Sequence, residues 1–597
     1  MSSSKNKSAN DKLIGTEISG AEIIVNALRE QGVDTIFGYP GGAVLPIYDA
    51  LYQQDYITHV LVRHEQGASH MAEGYARSTG KCGTVLVTSG PGVTNAITGI
   101  VDALLDSIPM VVLCGQVPTH LIGTDAFQEA DTTGLTRSAA KHNYLVKSVD
   151  DLEGIIHEAY HIATTGRPGP VVIDIPKDVQ FGKTIFKGKN SYKDFEYDPI
   201  TEPYMPAIKM AIDLLAKAKK PVIYTGGGII NAGKEASEAL REFVKITNFP
   251  ITSTLMGLGA YPASGKNWLG MLGMHGSYEA NLTMHDCDVM LCIGARFDDR
   301  VTGRLDAFSP NSKKIHIDIE PSSINKNVQV DIGIVADAGI ATKALVEEWK
   351  NHKGKRPNLE PWWNEINGWR ARNSFGYKNS DDIIIPQFAI ERLYELTKDR
   401  ETYITTEVGL HQMWAAQHYH FEEPNRWMTS GGLGTMGYGL PAAVGVQKAH
   451  PDALVIDIAG DASVQMTMQE ISCAIQYNLP VKIFIMNNEW MGMVRQWQQL
   501  LHGERYSHSY SHSLPDFVKM AEAFGCLGLR IDKPSELDAK IKEMIDYDGP
   551  VIVDCRVSKI ENCFPMIPSG KAHNDMLMPD DLGDIGSVIT DAGKKLV

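Results

Sequence analysis

The chain has 597 residues, of which 43% are hydrophobic and 21% charged, and a formal net charge of −16. This length exceeds what one hydrophobic core supports and predicts about three to four domains. The negative charge argues against nucleic-acid backbones and anionic membranes as partners, and no apolar run reaches membrane-spanning length.

The N-terminal segment Met1–Asp11 is polar and rich in Ser, Lys and Asn. We expect a frayed tail there, because it has neither the basic-then-apolar order of a secretory signal nor the arginines of a transit peptide. The eight cysteines form no Cys-x-x-Cys pair, which is typical of reduced core residues in an intracellular protein. The expected location is therefore the cytoplasm.

Three α/β blocks are predicted, at 16–185, 200–350 and 380–560, followed by a tail at 561–597. In the first block, a strand over His59–Val62 ends just before Glu65, and a helix with small residues on one face follows. A carboxyl group in such a setting suits proton exchange with a ring nitrogen. The alternative is an ordinary helix N-terminal glutamate that the helix dipole stabilises. His64 and His70 lack a third ligand at zinc spacing and are interpreted as structural or polar-pocket residues.

The same block continues with a strand over Thr84–Thr88, a turn at Ser89–Gly92, a helix and a strand over Met110–Cys114. The third block repeats this order of strand, glycine turn, helix, proline and strand. Since every doubly wound fold repeats such units, the similarity indicates shared architecture rather than function.

In the central block, a strand ending near Tyr224 runs into three consecutive glycines, and a further strand is predicted over Ile315–Ile319. Glycine turns at strand ends with a nearby arginine, here Arg296, suit the diphosphate of a dinucleotide. The alternative is one more α/β domain with tight turns.

The third block opens with a formal Gly-x-Gly-x-x-Gly at Gly432, Gly434 and Gly437, with Asp457 about where a ribose-binding acid would lie. We do not interpret this pattern as a dinucleotide site, because the preceding 425–428 is short and polar and gives no convincing strand.

The next stretch predicts a strand over Leu454–Ala459, a helix over Gln465–Asn478 and a strand over Val481–Met486. Such a βαβ unit brings Asp461 and Asn488 together at the carboxyl edge of the sheet, where open α/β sheets bind ligands. A carboxylate and an amide oxygen suit Mg²⁺, which completes its shell with a diphosphate. The alternative is a Gly-Asp turn followed by an ordinary parallel strand.

This spacing, Gly460-Asp461-Ala462 with Asn487-Asn488 later, resembles the signature of thiamine diphosphate (ThDP) enzymes. Ala462 departs from the strict motif in a way found in the acetohydroxyacid synthase branch. The strings at 115–118, 123–129, 296–303 and 487–497 resemble the same branch, and the resemblance covers about 16–576. It implies three doubly wound parallel-sheet α/β domains, namely a pyrimidine-binding, a central FAD-binding and a diphosphate-binding domain.

The resemblance also implies the site residues. Glu65 would hydrogen-bond the aminopyrimidine ring of ThDP and promote its imino tautomer, Gly434 would meet that ring through its backbone, and Met436 would wedge between the two rings. The other implied ThDP contacts are Pro40, Gly41, Gly409, His411, Gln412, Gly460, Asp461, Ala462, Ser463, Asn488 and Met493. The implied Mg²⁺ ligands are Asp461, Asn488 and the carbonyl of Trp490.

The implied FAD contacts are Arg167, Gly226, Gly227, Gly228, Thr254, Leu255, Met274, His275, Gly294, Arg296, Asp298, Arg300, Asp318 and Asp337. The implied catalytic set is Glu65, Gln128, Phe127, Lys177, Arg300 and Trp497. The implied substrate channel is lined by Ala43, Pro118, Ala126, Phe127, Lys177, Met274, Asp299, Arg300 and Trp497. Arg300 would bind a keto-acid carboxylate, and Trp497 would favour the larger acceptor. The alternatives are core aromatics at Phe127 and Trp497 and a surface cation at Lys177.

The implied reaction is the decarboxylation of pyruvate and carboligation to a second 2-keto acid, pyruvate or 2-ketobutyrate, which opens branched-chain amino-acid biosynthesis. The implied cofactors are ThDP, Mg²⁺ and a structural FAD. The implied partners are a second copy, as a homodimer or homotetramer with Glu65 facing the diphosphate site of the other copy, and a small regulatory subunit.

Three rival interpretations stay open at this point. A pyruvate oxidase would share the ThDP and FAD domains but reduce its flavin. A glyoxylate carboligase has a similar layout but lacks the relay carboxylate, so Glu65 argues against it. A non-enzymatic protein on the same fold would be expected to lack Glu65, Asp461 or Asn488.

Overall fold

The computed structural model describes residues 12–578, so the predicted tail Met1–Asp11 and the end of the C-terminal tail, from 579 onward, lie outside the described residues. The chain divides into two compact units. The first comprises 12–199, 430–455 and 466–481, and the second comprises 200–429, 456–465 and 482–578. The domain boundaries expected from the sequence stay a prediction. No helix within 12–578 is long and apolar enough to cross a membrane.

A six-stranded parallel sheet organises the first unit. Its strands are, in spatial order, Thr58–Leu61, Thr35–Gly38, Gly83–Val87, Met110–Gln116, Pro170–Pro176 and His142–Leu145. Strands covered by helices on both faces are apolar along their whole length, and every residue of Met110–Gln116 is buried. The three strands predicted in this block are confirmed with small shifts at their ends. An antiparallel pair, Glu17–Ser19 with Lys183–Ile185, lies apart from the sheet.

The helices of the first unit are Gly20–Glu30, Leu45–Tyr52, Glu65–Thr79, Pro91–Asp106, Thr132–Thr136, Val149–Thr164, Lys177–Phe181, Gly439–Ala449 and Ile471–Gln476. The helices Glu65–Thr79 and Gly439–Ala449 pack closely against each other. A Cβ on Gly445 would collide with the Met71 carbonyl oxygen, and one on Gly74 would collide with the Ala442 carbonyl oxygen. The two backbones therefore approach closely only because both positions are glycine.

The second unit contains two further sheets. The central one has the parallel strands Trp268–Met271, Ile251–Ser253, Pro221–Thr225, Val289–Ile293, Lys313–Asp318 and Ile332–Val335 in spatial order. Numbered along the chain, this order is 3-2-1-4-5-6, which is the order of dinucleotide-binding folds. The crevice where the order reverses therefore lies outside the carboxyl ends of Pro221–Thr225 and Val289–Ile293.

The other sheet of the second unit has the strands Trp427–Met428, Thr402–Thr406, Leu454–Gly460, Lys482–Asn487, Val551–Arg556 and Leu527–Ile531 in spatial order. Numbered along the chain, the order is 2-1-3-4-6-5, and the sheet of the first unit has the same order. The expectation that the first and third blocks share an architecture is thus confirmed. The crevice of this sheet lies outside the ends of Thr402–Thr406 and Leu454–Gly460.

The helices of the second unit are Met205–Leu215, Gly227–Asn231, Lys234–Thr247, Tyr278–Asp286, Asp299–Thr302, Ala338–Asn351, Glu360–Arg370, Pro386–Thr397, Leu410–His418, Gly492–Leu501, Phe517–Phe524 and Leu537–Asp546. Their apolar faces cover the two sheets, and the core around the central sheet is built mainly of Ile, Leu, Val and Phe side chains.

Two local predictions were wrong. The helix expected over Gln465–Asn478 is α-helical only at Ile471–Gln476 and is preceded by two 3-10 turns. Thr467 has φ −134°, outside the helical range, because its hydroxyl donates to the Gly437 carbonyl oxygen. A strand also precedes the glycine-rich loop, at Trp427–Met428, because both side chains are buried at the sheet edge.

We predict that Gly445→Ala lowers the free energy of unfolding by about 1–3 kcal/mol, because the added methyl group forces two helix backbones apart. The matched control is Gly368→Ala, at an exposed position of the helix Glu360–Arg370, where nothing lies within 4 Å of the added Cβ. That change should be neutral or stabilise by up to about 1 kcal/mol. Thermal or denaturant unfolding measures both, and equal losses in the two variants would contradict the interpretation.

Candidate functional site

Asp461 and Asn488 lie at the carboxyl ends of two hydrogen-bonded parallel strands of the second unit. Gly460 is paired with Met486 in the register of Leu454–Gly460 and Lys482–Asn487, so the residues that follow both strands meet at one edge. The predicted juxtaposition is confirmed at the level of the backbone register. Asp461 is only 1% exposed, and its Oδ2 has no hydrogen-bond partner among the described residues. Burial raises the pKa of Asp461 to about 7.

A buried carboxylate with one oxygen unpaired is costly unless a cation or a proton neutralises it. Asn488 is also buried, and its Oδ1 accepts the backbone N–H of Trp490 at 3.1 Å, which turns the chain at this edge. An amide oxygen has a second lone pair for a further ligand. Asp461 and Asn488 therefore have the donor chemistry of a Mg²⁺ site whose remaining ligands come from a diphosphate.

The neighbouring Asn487 has a different task from Asn488. Its Nδ2 donates to Asp554 Oδ1 at 2.8 Å inside the sheet, and both residues are buried. Of the two adjacent asparagines, only Asn488 lies beyond the end of the strand. The pair therefore divides into one structural and one ligand-type residue.

A glycine-lined turn borders this edge. Gly460 N donates to Ser463 Oγ at 3.2 Å, and a Cβ on Gly460 would lie 2.7 Å from the His411 ring. Burial lowers the pKa of His411 to about 3, so its ring is neutral, and its Nε2 has no partner among the described residues. Gly409 precedes the helix Leu410–His418, at the crevice of this sheet. The remaining predicted contacts of this unit are Gln412, which donates to Thr429 Oγ1 at 2.7 Å, and the half-buried Ala462 and Met493.

In the first unit, Glu65 is the first residue of the helix Glu65–Thr79 and is 8% exposed. Asn95 Nδ2 donates to Glu65 Oε2 at 2.9 Å, which fixes one oxygen of the carboxyl group. His64, which precedes the helix, accepts the N–H of Gln66 at its own Nδ1. Glu65 thus occupies the helix N-terminus that the alternative interpretation requires, but it is also buried and held by a specific partner.

Another part of the first unit holds the glycine-rich loop that contains Gly434. Ser430 Oγ donates to the buried Asp102 Oδ1 at 2.6 Å and accepts the N–H groups of Gly434 and Thr435 at 2.9 and 2.8 Å. Gly434 has φ +78°, which favours glycine, and it is exposed. Met436 is half-buried. Ser430, anchored on one buried carboxyl group, therefore holds two N–H groups of this loop.

The crevice of the first sheet lies beyond Thr35–Gly38 and Gly83–Val87, and Pro40 and Gly41 are found there. A Cβ on Gly41 would lie 2.5 Å from the Thr88 side chain, so only glycine fits this turn. Gln128 has φ +61°, and its backbone packs against Gly90.

Phe127 is 88% exposed, which excludes the alternative of a core aromatic in this chain. Lys177 is half-buried at the start of a short helix that follows the strand Pro170–Pro176. Of the predicted channel residues in this unit, Ala43 is buried and Pro118 and Ala126 are half-buried.

The central sheet brings two of its glycine turns together. Gly228 N donates to the Gly294 carbonyl oxygen at 2.9 Å, and a Cβ on Gly228 would lie 2.7 Å from Gly294 Cα. A Cβ on Gly226 would collide with the Gly294 carbonyl oxygen. The turns after two adjacent strands thus touch backbone to backbone at the crevice of the sheet, with Gly227 beginning the short helix between them.

Two predicted FAD contacts carry buried polar atoms that lack a partner among the described residues, namely Thr254 Oγ1 and His275 Nε2. Burial lowers the pKa of His275 to about 4, so the ring is neutral. Leu255 follows Thr254 in a 3-10 turn at the carboxyl end of Ile251–Ser253. Unpaired buried polar atoms beyond the carboxyl ends of strands in a sheet of dinucleotide-binding order fit a polar ligand.

Other predicted FAD residues have structural partners. Asp337 caps the helix Ala338–Asn351 by accepting two backbone N–H groups, Asp298 caps Asp299–Thr302 in the same way, and Asp318 accepts the N–H of Glu320. Arg296 and Arg300 are exposed, and Arg300 pairs with Asp299 at 3.5 Å. Arg167 belongs to the first unit, where its Nε donates to Ser107 Oγ at 2.8 Å.

Trp497 and Met274 pack on one small hydrophobic cluster of the second unit with Leu500, Leu501, Met566 and Leu577. Both side chains are only partly buried there. The alternative in which Trp497 is a packing aromatic therefore holds in part, and its partial exposure leaves ring surface for a ligand.

The comparisons with known proteins agree with this geometry. Three family models match the chain: the N-terminal TPP binding domain of thiamine pyrophosphate enzymes at 18–135, their central domain at 208–345 and their C-terminal TPP binding domain at 407–555. The acetolactate synthase large subunit of Haemophilus influenzae is 50% identical over 572 residues, which cover 94% of this chain and 98% of that protein.

The acetolactate synthase isozyme 3 large subunit of Escherichia coli is 49% identical over 566 residues, covering 94% of this chain and 98% of that protein. The mitochondrial acetolactate synthase catalytic subunit of Saccharomyces cerevisiae is 46% identical over 580 residues, covering 94% and 84%. The chain belongs to the acetolactate synthase family of thiamine pyrophosphate enzymes.

Membership of the acetolactate synthase family makes thiamine diphosphate the cofactor. Each feature described above lies in one of the three matched domains. Glu65 falls in the N-terminal TPP binding domain, the Gly228–Gly294 contact in the central domain, and Asp461 with Asn488 in the C-terminal TPP binding domain.

Sequence reasoning missed several residues that support the site in this family member. Asn95, Asp102 and Ser430 bond directly to Glu65 or to the Gly434 loop. For Asn95, the one available signal was its place in the helix that follows the predicted turn at Ser89–Gly92. Asp102 and Ser430 are 328 residues apart, and no local pattern connects them.

The structure shows the surroundings of His70. Sequence spacing offered no third ligand, yet the ligand atoms of His70, Glu73 and Asp102 lie within 4.8 Å of one another, and all three residues are buried. His70 Nδ1 is 2.9 Å from Glu73 Oε1. Burial, reinforced by the neighbouring acidic groups, raises the pKa of Glu73 and of Asp102 well above its usual range. The group is a buried polar network, as the polar-pocket interpretation of His70 expected.

We predict that Ser430→Ala weakens ThDP binding by roughly tenfold, because two loop N–H groups and a buried carboxyl group lose a partner. The matched control is Ser148→Ala, which removes the cap of the helix Val149–Thr164 and costs about 1 kcal/mol of stability. Titration of the cofactor against tryptophan fluorescence measures the affinity. Equal ThDP affinity in Ser430→Ala and wild type would contradict the role of this anchor.

Proposed function

We propose that this chain decarboxylates pyruvate and transfers the remaining two-carbon unit to pyruvate or 2-ketobutyrate, the first common step of branched-chain amino-acid biosynthesis. The observation that carries the proposal is the buried Asp461, whose Oδ2 is unpaired at a sheet edge suited to a diphosphate, in a chain that also holds the buried Glu65. The names and extents of the relatives support it.

When bound, thiamine diphosphate supplies the electron-accepting centre that decarboxylation of a 2-keto acid needs, and the protein supplies geometry and proton transfer. Asp461, Asn488 and the Trp490 carbonyl would hold Mg²⁺, and the ion would bind the diphosphate. The remaining proposed contacts of this part are Gly409, His411, Gln412, Gly460, Ala462, Ser463 and Met493. The Asp461 carboxylate is then neutralised by a cation instead of a proton.

Glu65 holds and releases the proton that the aminopyrimidine ring exchanges, and Asn95 keeps the Glu65 carboxyl group in one orientation. Gly434 would contact the ring through its backbone, and Met436 would pack against the cofactor. Pro40 and Gly41 complete this side. The burial of Glu65 limits the access of water to its carboxyl group.

For the substrates, we propose that the exposed Arg300 binds the carboxylate of the acceptor keto acid, as a guanidinium group does. Trp497 shapes the pocket, and Phe127, Gln128 and Lys177 complete it. The exposure of Phe127 supports this assignment, since an aromatic side chain left in solvent is available for a partner or a substrate.

We propose that the central domain binds FAD at the Gly226–Gly228 and Gly294 turns, without net redox turnover. The dinucleotide strand order and the unpaired Thr254 Oγ1 and His275 Nε2 support this. The further proposed contacts are Arg167, Leu255, Met274, Arg296, Asp298, Arg300, Asp318 and Asp337. The helix caps made by Asp298 and Asp337 leave one carboxylate oxygen of each for a ligand.

The proposed assembly is a homodimer or homotetramer in which Glu65 of one copy faces the diphosphate site of a second copy. A small regulatory subunit is proposed because two of the relatives are named large subunits. We propose that the protein acts in the cytoplasm, although the yeast relative is named mitochondrial.

The proposal predicts that the wild type forms acetolactate from pyruvate with ThDP, Mg²⁺ and FAD, and that Glu65→Gln lowers the rate at least about 100-fold. The matched control is Glu360→Gln, at the exposed first position of the helix Glu360–Arg370, which should keep wild-type activity. The control separates a proton relay from a glutamate that merely stabilises a helix N-terminus.

Two outcomes would contradict the proposal. Full activity in Glu65→Gln would remove the relay role of Glu65. Bleaching of the flavin by pyruvate under anaerobic conditions, without acetolactate, would assign the chain to the oxidases instead.

A further inference from the structure

One polar face of the segment Glu470–Tyr477 contacts the chain that leads into Glu65. Tyr477 accepts the N–H of Leu61 at its hydroxyl oxygen at 2.7 Å, and Gln476 Oε1 accepts the Arg63 guanidinium at 2.6 Å. Cys473 Sγ donates to the Leu61 carbonyl oxygen at 3.0 Å. All of these residues belong to the first unit. Side chains from a distant part of the sequence therefore hold the end of the strand Thr58–Leu61 and the residues that follow it.

Glu470 is the innermost member of this face and is fully buried. Both of its carboxylate oxygens accept the backbone N–H of Arg63 at 3.1 Å, and Cys473 Sγ donates to its Oε2 at 3.1 Å. The backbone of His64 also hydrogen-bonds this carboxyl group. Burial raises the pKa of Glu470 to about 7, against these bonds, which lower it.

Gly67 provides the room for this carboxyl group. A Cβ at Gly67 would lie 2.7 Å from Glu470 Cδ and from its Oε1. Gly67 has helical backbone and lies in the middle of a regular turn, so no unusual φ requires a glycine there. The reason for a glycine at this position is the space that Glu470 occupies.

We propose that Glu470 is a positioning residue for Glu65, acting through the backbone of Arg63 and His64. These two residues immediately precede Glu65, so a shift of their peptide groups moves the Glu65 carboxyl group relative to Asn95 and to the ring it serves. A displacement on the order of 1 Å at a reacting group lowers rates by roughly 100-fold. The inference rests on the proposed relay role of Glu65.

The chain offers a matched comparison for a purely structural role. Glu153, in the same unit, is buried and accepts the backbone N–H groups of Lys187 and Gly188 at 2.9 and 2.6 Å. Like Glu470, it accepts backbone N–H groups with a buried carboxylate, but it does so away from Glu65. Loss of either carboxylate should destabilise the fold, but only loss of Glu470 should disturb proton transfer.

The first test measures amide hydrogen exchange of the cofactor-free protein by mass spectrometry, in the peptide that contains residues 61–67. We expect Glu470→Gln and Gly67→Ala to speed this exchange by roughly tenfold. The first change replaces one of the two oxygens that accept the Arg63 N–H with an NH2 donor and removes the charge of the acceptor, and the second displaces the acceptor. Glu153→Gln should leave this peptide unchanged. This readout requires no catalysis, so it tests the contact even if the proposed reaction is wrong.

The second test measures hydrogen–deuterium exchange at C2 of bound ThDP by quenched NMR. We expect it to be roughly 10- to 100-fold slower in Glu470→Gln and Gly67→Ala, with a smaller change in ThDP affinity, and at the wild-type rate in Glu153→Gln. Wild-type C2 exchange in both Glu470→Gln and Gly67→Ala would overturn the proposal. Equal slowing in Glu153→Gln would also overturn it, since a general loss of packing would then explain the effect.

Discussion

The unpaired carboxylate oxygen of Asp461 is the constraint on which the account of this protein depends. A buried, acceptor-only group is unfavourable by itself, and the fold places it at the end of a parallel strand, next to the end of a second one. Parallel strands send all their carboxyl ends to one edge, so the charge, the asparagine oxygen and the glycine turn converge there without any long loop. A cation that also binds a diphosphate neutralises the Asp461 carboxylate. This requirement favours a diphosphate cofactor at the site.

Close contacts of glycine backbones are a second constraint on the structure. Gly445 against Met71, Gly228 against Gly294 and Gly41 against Thr88 each exclude a side chain at a place where two elements must touch. In the first case the result is a close helix pair beneath Glu65, and in the other two it is a narrow crevice at a sheet edge. Glycines thus permit close contacts both in the core and at the sheet edges. Each glycine also loses more backbone conformational entropy on folding than another residue would.

Much of the fold and part of the site were predictable from the sequence, for identifiable reasons. Strands such as Met110–Gln116 and Lys482–Asn487 contain uninterrupted apolar runs, at 110–115 and 483–486, because helices cover both of their faces. The approach of Asp461 and Asn488 follows from chain order and the handedness of the βαβ unit. The segment after Asp461 was predicted less well, because the tertiary bond from Thr467 to Gly437 overrides the helical periodicity there.

The supporting groups of the site could not be predicted in this way. Glu470 and Arg63 are 407 residues apart, and Asp102 and Ser430 are 328 apart. Periodicity reports the face on which a residue lies, but not which distant backbone group it bonds. Solvent exposure could not be predicted either, since Phe127 is a hydrophobic residue of a type usually found in the core but is exposed to solvent. Tertiary hydrogen bonds of buried carboxyl groups are therefore what the structure adds.

The most direct test of the central claim is the affinity of the wild-type protein for thiamine diphosphate, measured by isothermal titration with and without Mg²⁺ and compared with thiamine monophosphate. The account predicts tight binding of the diphosphate only when Mg²⁺ is present, and binding of the monophosphate weaker by roughly 100-fold or more. Binding of the diphosphate that is equally tight after complete removal of divalent cations would contradict it.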